Sequence, residues 1–345
     1  MSLPALLQGR LTLPLISAPM FLVSGPDLVI EACKAGIVGT FPALNQRSSE
    51  AFEAWLVQIK QALQTFEADT GKQAAPFGVN LIVHKTNPRL QADLEICKRH
   101  QVPLIITSLG AVPDVVETVH GYGGLVFHDV ATVRHAQKAA EAGVDGLIAV
   151  CAGAGGHAGI LSPFALVSEI RQFYHGTVIL SGCLSTGRDI ATAQMLGADL
   201  AYMGTRFINT QESKAVADYQ QMIVDSSASD ITYTPEISGI PANFLKKSLA
   251  VAGLDPNTGK AITEEVADSQ KSGSKELNLG EELTAPKDGA SAWKSIWSAG
   301  QGVGSVHDVP SVAALVATLH EEYVSATIEY AQLSREYALK IQGGF

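Results

Sequence analysis

Residues able to do chemistry fall into four short stretches. The first is Ala152-Gly153-Ala154-Gly155-Gly156-His157-Ala158-Gly159, where one imidazole stands in a run of glycine and alanine. Such a run lets backbone come close to a ligand. An imidazole within it can serve as an acid, a base or a hydrogen-bond donor to a substrate anion. A histidine that only caps a turn is the plain alternative; with no other reactive side chain in the stretch, His157 reads as functional. The second and third stretches are Ser181-Gly182-Cys183, followed by Ser185-Thr186-Gly187, and Met203-Gly204-Thr205-Arg206. Their glycines can admit phosphate oxygens to backbone N–H groups, and Ser181 and Thr205 add hydroxyl donors. Either alone could be a tight turn, but two at adjacent strand ends favour a phosphate site. The fourth is Asn80 in Gly78-Val79-Asn80-Leu81. A polar side chain inside an apolar run must find a partner. Backbone groups of its own sheet and a flat heterocycle with donors and acceptors would serve equally well.

Other polar residues read as structural. Asp145, in Gly143-Val144-Asp145-Gly146, stands at the start of a strand, where it caps or buttresses. Trp293 and Trp297, at i and i+4, fit a packed core better than a cofactor stack. His84, His128 and His135 show no metal-ligand spacing, and no metal site is expected. Cys33, Cys97, Cys151 and Cys183 are scattered and form no C-x-x-C pair. They fit neither a disulfide framework nor a zinc site, and a reducing cytoplasm is the simplest setting.

The reactive stretches end apolar runs. Eight such runs, at residues 15–18, 38–41, 77–82, 103–109, 124–130, 146–152, 177–183 and 200–205, read as buried parallel strands. Helical patterns lie between them, among them 49–66 (capped by Ser48 or Ser49), 131–142 and 187–196. Eight β units with intervening helices predict an α/β fold of the (β/α)8 TIM-barrel type, with function at the C-terminal strand ends. A doubly wound sheet would call for G-x-G-x-x-G after the first strand, and Ala18, Pro19, Met20 and Phe21 stand there instead. Beyond residue 205 the pattern changes. Helices are expected over 212–226 and over 240–253, a polar connection over 255–289, and a closing helix over 311–339. The expected organisation is a barrel of residues 1–210 and 305–345, with 211–304 as a mainly helical inserted subdomain forming a cap.

Composition limits the partners. The chain is 46% hydrophobic and 17% charged, enough for a large core. Its net charge of −10 comes without a basic tract, which argues against nucleic acid or an anionic membrane surface. No apolar run approaches the roughly 18 residues of a membrane span. Residues 1–10 lack a basic stretch leading into an apolar one, so no signal peptide is expected.

Taken in order, several pieces resemble the nitronate monooxygenase family of FMN-dependent TIM barrels, relatives of the flavin-dependent enoyl-ACP reductases. They are Ile16-Ser17-Ala18-Pro19-Met20, Gly78-Val79-Asn80, Ala140-Glu141-Ala142-Gly143-Val144-Asp145, Ala154-Gly155-Gly156-His157-Ala158-Gly159, Ser181-Gly182, Gly197-Ala198-Asp199, Met203-Gly204-Thr205-Arg206-Phe207 and Ser298-Ala299-Gly300-Gln301-Gly302. The resemblance implies non-covalent FMN. Ala18, Pro19 and Met20 would lie along the isoalloxazine edge, Asn80 would bond the ring, and Ala154, Gly155 and Gly156 would line it. Ser181, Gly182, Cys183, Gly204 and Thr205 would hold the phosphate, and Gln301 would approach flavin and substrate. His157 matches the family's catalytic histidine. Two departures stand out: Gly153 replaces a glutamate common in the family, and His128-Asp129 replaces a lysine that some members carry near the flavin. The activity implied is oxidation of alkyl nitronates, such as propionate 3-nitronate, by dioxygen to a carbonyl compound and nitrite. A protonated His157 would pair with nitronate oxygens, and an unprotonated one could take the α-proton of a nitroalkane. The alternative is an NAD(P)H-dependent reductase of an enoyl thioester (ACP or CoA) or a quinone. A homodimer is compatible with either.

Overall fold

The eight apolar runs all become parallel strands, and hydrogen bonding closes them into one barrel. The computed structural model describes residues 3–110, 113–263 and 295–342. The barrel strands are β1 (Leu15–Ser17), β2 (Val38–Pro42), β3 (Phe77–Ile82), β4 (Leu104–Ser108), β5 (Leu125–Val130), β6 (Gly146–Val150), β8 (Thr177–Ser181) and β9 (Leu200–Met203). β9 pairs back onto β1 through Leu15↔Ala201, Ile16↔Tyr202 and Ser17↔Met203. The helices between them are α1 (Pro26–Lys34), α2 (Ser49–Thr70), α3 (Leu90–His100), α4 (Pro113–His120), α5 (Val133–Glu141), α6 (Pro163–Arg171) and α7 (Gly187–Met195). The short strand β7 (Gly156–His157) lies outside the barrel wall.

Strand alternation decides which side chains reach the interior. Ile16, Leu104, Ile106, Phe127, Ile148, Ile179, Leu200 and Tyr202 fill the barrel. Their neighbours Val79, Ile105, Val126, Leu147, Val178 and Ala201 pack outward with the helices. Both faces are therefore apolar, which is why these strands read as continuous hydrophobic runs. The same alternation places Asn80, Ser108, Asp129 and Ser181 inside the barrel, one step beyond the apolar layer.

At the opposite end of the barrel, two aspartates repeat one device. Asp145 Oδ2 accepts from the Val126 N–H (2.8 Å) and Asp199 Oδ2 from the Val178 N–H (2.9 Å). Each pins the start of its own strand to the strand before it. Asp199 is buried and also pairs with Arg171 Nη2 at 2.5 Å. The buttress expected for Asp145 is thus observed.

After β9 come α8 (Thr205–Ile208), α9 (Ala217–Val224), β10 (Ile231–Thr234), β11 (Ala242–Leu245), α10 (Lys246–Val251) and the long α11 (Val312–Gln342). α11 buries Val312, Leu315, Val316 and Leu319 in the main core. Its Glu322 Oε2 accepts from the Gly187 N–H (2.6 Å), and its Tyr323 hydroxyl donates to Gln194 (2.7 Å). Two helical expectations require correction. Residues 240–253 are not one helix. Residues 242–245 are extended because they pair with β10 and β7, and only 246–251 coil. The helix expected over 212–226 begins at Ala217 instead, since Glu212 turns its carboxylate to the Val312 N–H (3.1 and 3.0 Å). A three-stranded sheet, β10-β11-β7, therefore accompanies the helices of this region. Most of the polar connection expected over 255–289, and Trp293, lie outside the described residues.

Candidate active site

The loop bearing His157 is held from outside the barrel. β11 pairs antiparallel with β7, Ala242 opposite His157 and Asn243 opposite Gly156. The Asn243 side chain, itself buried, donates to the Ala154 carbonyl (2.7 Å). Ser298 Oγ donates to the Asn243 carbonyl (2.5 Å) and accepts from the Gly156 N–H (2.7 Å). The Tyr219 hydroxyl donates to the Ser298 carbonyl and stacks its ring on Trp297 at 5.1 Å. Two chain segments, at 242–243 and at 298, thus hold residues 154–157, with Tyr219 backing the second. Burial pushes the His157 imidazole down to about 4, so it is neutral at neutral pH. In this state the ring can accept a proton.

The glycine-rich loop, the last two strand ends and the segment carrying Gln301 meet. The Gln301 N–H donates to the Gly153 carbonyl (2.8 Å), and the Gly300 N–H donates to Thr205 Oγ1 (2.8 Å). Gly153 has φ +79°, and a Cβ there would lie 2.3 Å from Cys183 Sγ and 2.8 Å from Gln301 Oε1. The space a glutamate would need at this position is filled by Cys183 and Gln301. A Cβ on Gly155 would stand 2.9 Å from the Gly300 N atom, so these two loops touch through backbone.

Anion-binding capacity is unevenly distributed over the two Gly/Ser/Thr stretches. The N-terminus of α7 is already satisfied: Ser185 and Thr186 N–H groups donate to Asp189 Oδ2, and Gly187 N–H donates to Glu322. Carboxylates occupy the place a phosphate would take there. The turn before it is different. Gly182 (φ +136°) and Cys183 (φ +58°) are both left-handed. At the next strand end, α8 begins at Thr205; the Phe207 and Ile208 N–H groups already donate to the Gly204 carbonyl (2.8 and 3.1 Å), which leaves the Thr205 and Arg206 N–H groups ahead of the first intrahelical bond. A phosphate would therefore be taken by the turn at 182–183 and by Gly204-Thr205.

Across the mouth, the segment after β1 is fixed by two polar side chains. The Met20 N–H donates to Ser24 Oγ (2.9 Å), the Leu22 N–H donates to Asn45 Oδ1 (2.9 Å), and Asn45 Nδ2 donates to the Met20 and Ser24 carbonyls (3.0 and 2.8 Å). Leu22 is held at φ +61°. With Cys183 and Leu109, three non-glycine residues with left-handed backbone follow barrel strands at this end, where strain commonly accompanies function. Ala18 and Met20 come within van der Waals range of Gly204: a Cβ there would sit 3.8 Å from each. Pro19 lies between them.

Asn80 is buried on β3. Its Nδ2 donates to the Ile106 carbonyl (3.2 Å) and to Ser108 Oγ (2.9 Å), and Ser108 Oγ donates to Asp129 Oδ2 (2.6 Å). Burial raises the Asp129 carboxyl to about 6, partly offset by the Ser108 hydrogen bond. Sequence reasoning singled out Asn80, met Asp129 only within the replacement for a family lysine, and missed Ser108, although the same signal, a polar residue in register with interior apolar ones, marks both. It also missed Asn45, Tyr219 and Asn243, whose local sequence gives no sign of their distant partners. Ser298 stood in a quoted motif, without a role.

The family model for nitronate monooxygenase matches residues 6–322. The chain belongs to that family. The family is one of flavin-dependent oxidoreductases. Curated nitronate monooxygenases from Paraburkholderia phytofirmans and Pseudomonas aeruginosa are 25% and 26% identical to it. Each match covers 90% of this chain, with 92% and 95% of the respective relative. An octahydroindene-carboxyl-CoA dehydrogenase from Rhodococcus jostii is 26% identical over 68% of this chain. That relative and a Mycobacterium tuberculosis protein are matched over only 63% and 64% of their own lengths. Among solved structures, FabK from Thermotoga maritima has 23% identity and a TM-score of 0.74, over 96% of this chain and 97% of that one. Nitroalkane oxidase from Streptomyces ansochromogenes has 21% identity and a TM-score of 0.74, over 94% and 100%. At these identities the likeness is one of fold. No helix among the described residues is long and apolar enough to cross a membrane.

Proposed function

We propose that this nitronate monooxygenase family member binds FMN at the mouth of its barrel and oxidises alkyl nitronates, such as propionate 3-nitronate, with dioxygen to a carbonyl compound and nitrite. The observation that carries the proposal is the clamped loop: His157 is the only ionisable side chain on residues 152–159, and the Gly300-Gln301 segment links that loop, at Gly153, to Thr205 at a strand end suited to a phosphate. The donor set fits FMN. Left-handed backbone at Gly182-Cys183, the start of α8 and the hydroxyls of Ser181 and Thr205 suit a phosphate dianion. Ala18, Pro19, Met20, Ala154, Gly155 and Gly156 offer flat, small-residue surface to a planar ring, with Asn80 polar towards it and Gln301 entering from the far side. The described residues 211–263 and 295–304 act as the cap.

FMN, when bound, supplies the electron-accepting chemistry and the reduction of dioxygen. The protein's own part is to place the substrate and manage its proton. A neutral His157 offers a ring nitrogen, as an N–H donor to a nitronate oxygen in one tautomer and as an acceptor in the other. With a neutral nitroalkane that acceptor can take the α-proton. The clamp formed by Asn243 and Ser298 sets the imidazole's position over the mouth. Oxygen-electrode assays of the FMN-loaded protein with propionate 3-nitronate test the proposal: oxygen uptake matched by nitrite release supports it, and inertness towards alkyl nitronates removes it.

The relative named as a CoA-thioester dehydrogenase favours one second reading, an NAD(P)H-dependent reductase of an enoyl thioester or quinone. In that case bound flavin would bleach anaerobically with NADH or NADPH and reoxidise with the thioester or the quinone.

A further inference from the structure

Asp129 is a buried carboxyl with no part in the fold's buttresses. Its Oδ2 accepts from Ser108 at 2.6 Å, while its Oδ1 is buried and has no hydrogen-bond partner among the described residues. The nearby Tyr202 phenol is pushed well above its ordinary value, by burial first and by the Asp129 charge second. A buried acid half satisfied in this way is a poor stabiliser. What it does accomplish is to fix the direction of a hydrogen-bond chain.

The chain runs across β5, β4 and β3. A carboxylate can only accept, so the single Ser108 hydrogen must point at Asp129. Ser108 Oγ is then left as an acceptor towards β3, and the Ile106 carbonyl beside it is an acceptor as well. Asn80 therefore turns its NH2 to these two groups, and both of its hydrogens are used. Its Oδ1, for which the structure gives no partner among the described residues, is the atom left for a ligand. We propose that Asp129 and Ser108 are positioning residues that lock the Asn80 amide with its oxygen towards the barrel mouth, so that the site selects a planar heterocycle presenting a ring N–H. This inference rests on the flavin reading for the identity of the heterocycle. An oxidised isoalloxazine has one ring N–H, at N3.

Without Asp129 the Ser108 hydroxyl is free to reverse and donate to Asn80 Oδ1, which would turn the amide around. Fluorescence titrations of apo-protein with FMN and with 3-methyl-FMN read the consequence. Wild type should prefer FMN by roughly tenfold, the worth of one good hydrogen bond. Ser108→Ala and Asp129→Leu should lose most of that preference, and Asp129→Asn, which keeps an acceptor for Ser108, should retain it. A purely structural role would move melting temperature and leave the ratio alone. Equal ratios in wild type and Ser108→Ala overturn the inference.

A ligand-free reading keeps it separable from the flavin proposal. The Asn80 side-chain NH2 resonances, assigned through their loss in Asn80→Ala, should exchange slowly with water in wild type and rapidly in Ser108→Ala. Unchanged exchange overturns the lock whatever FMN does. Slow exchange in wild type together with no FMN uptake overturns the flavin reading and leaves the lock standing. Should Asp129→Leu fail to fold, Ser108→Ala carries the test alone.

Discussion

At the scale of single residues, His157 and Gly153 are the most telling positions. Replacing His157 with alanine removes the only group on its loop able to hold or take a proton. FMN affinity should stay within a few-fold of wild type, while turnover of nitronate falls by roughly 10² or more; flavin titration and oxygen uptake measured on the same preparation check both halves. Gly153 combines a left-handed backbone with a neighbour 2.3 Å from the position of any Cβ. Gly153→Ala should therefore cost more than ~1 kcal/mol in a urea melt. Combining it with Cys183→Ala should recover the part due to the sulfur contact and leave the parts due to φ and to Gln301. This residue also shows how far sequence could reach. The missing glutamate was visible there, whereas its cause, the sulfur and amide that fill its place, became visible only in three dimensions.

At the scale of elements, the strands were legible and the clamp was not. A strand buried on both faces is apolar along its length and stops at a polar or glycine residue, so all eight barrel strands could be read from local sequence. Asn80, Ser181 and Thr205 were legible for the same reason, as polar residues where such runs end. The stretch 242–245 is too short to show a period. Its extended form is imposed by pairing with residues 156–157, some 85 positions away, and propensity alone made it helix. Because His157 owes its place to that pairing, Asn243→Ala should lower turnover while leaving much of the FMN binding, with the loss seen first in kcat. A stopped-flow and steady-state comparison with wild type would show it. On the far side of the barrel, Asp199 pairs with Arg171 and the Val178 N–H while buried. Asp199→Ala takes the carboxylate from a guanidinium that keeps the Gly197 and Gly176 carbonyls and leaves the Val178 N–H without its acceptor, and should cost ~3 kcal/mol of stability by chemical denaturation.

For the whole molecule, buried titratable groups set how stability responds to acid. His157 and His128 are both held down to about 4, chiefly by burial. Between about pH 6.5 and 4 the unfolded chain binds protons at these sites that the folded chain refuses, so stability falls as pH falls through that window. Asp129, raised to about 6, works in the opposite sense: the folded chain takes up its proton first, which offsets part of the loss. Denaturant melts from pH 7 to 4.5 should show a shallower decline for His128→Gln and a steeper one for Asp129→Asn than for wild type. Function at this scale depends on the closed sheet bringing β1, β3, β6, β8 and β9 to one rim, where the glycine-rich loop and the Gln301 segment join them. The most direct test is an equilibrium titration of the apo-protein with FMN, followed by absorbance and by quenching of flavin fluorescence. One flavin per chain, displaced by inorganic phosphate only at high concentration and bound normally by His157→Ala, is the predicted result. A protein that stays colourless and leaves added FMN fully fluorescent contradicts the account.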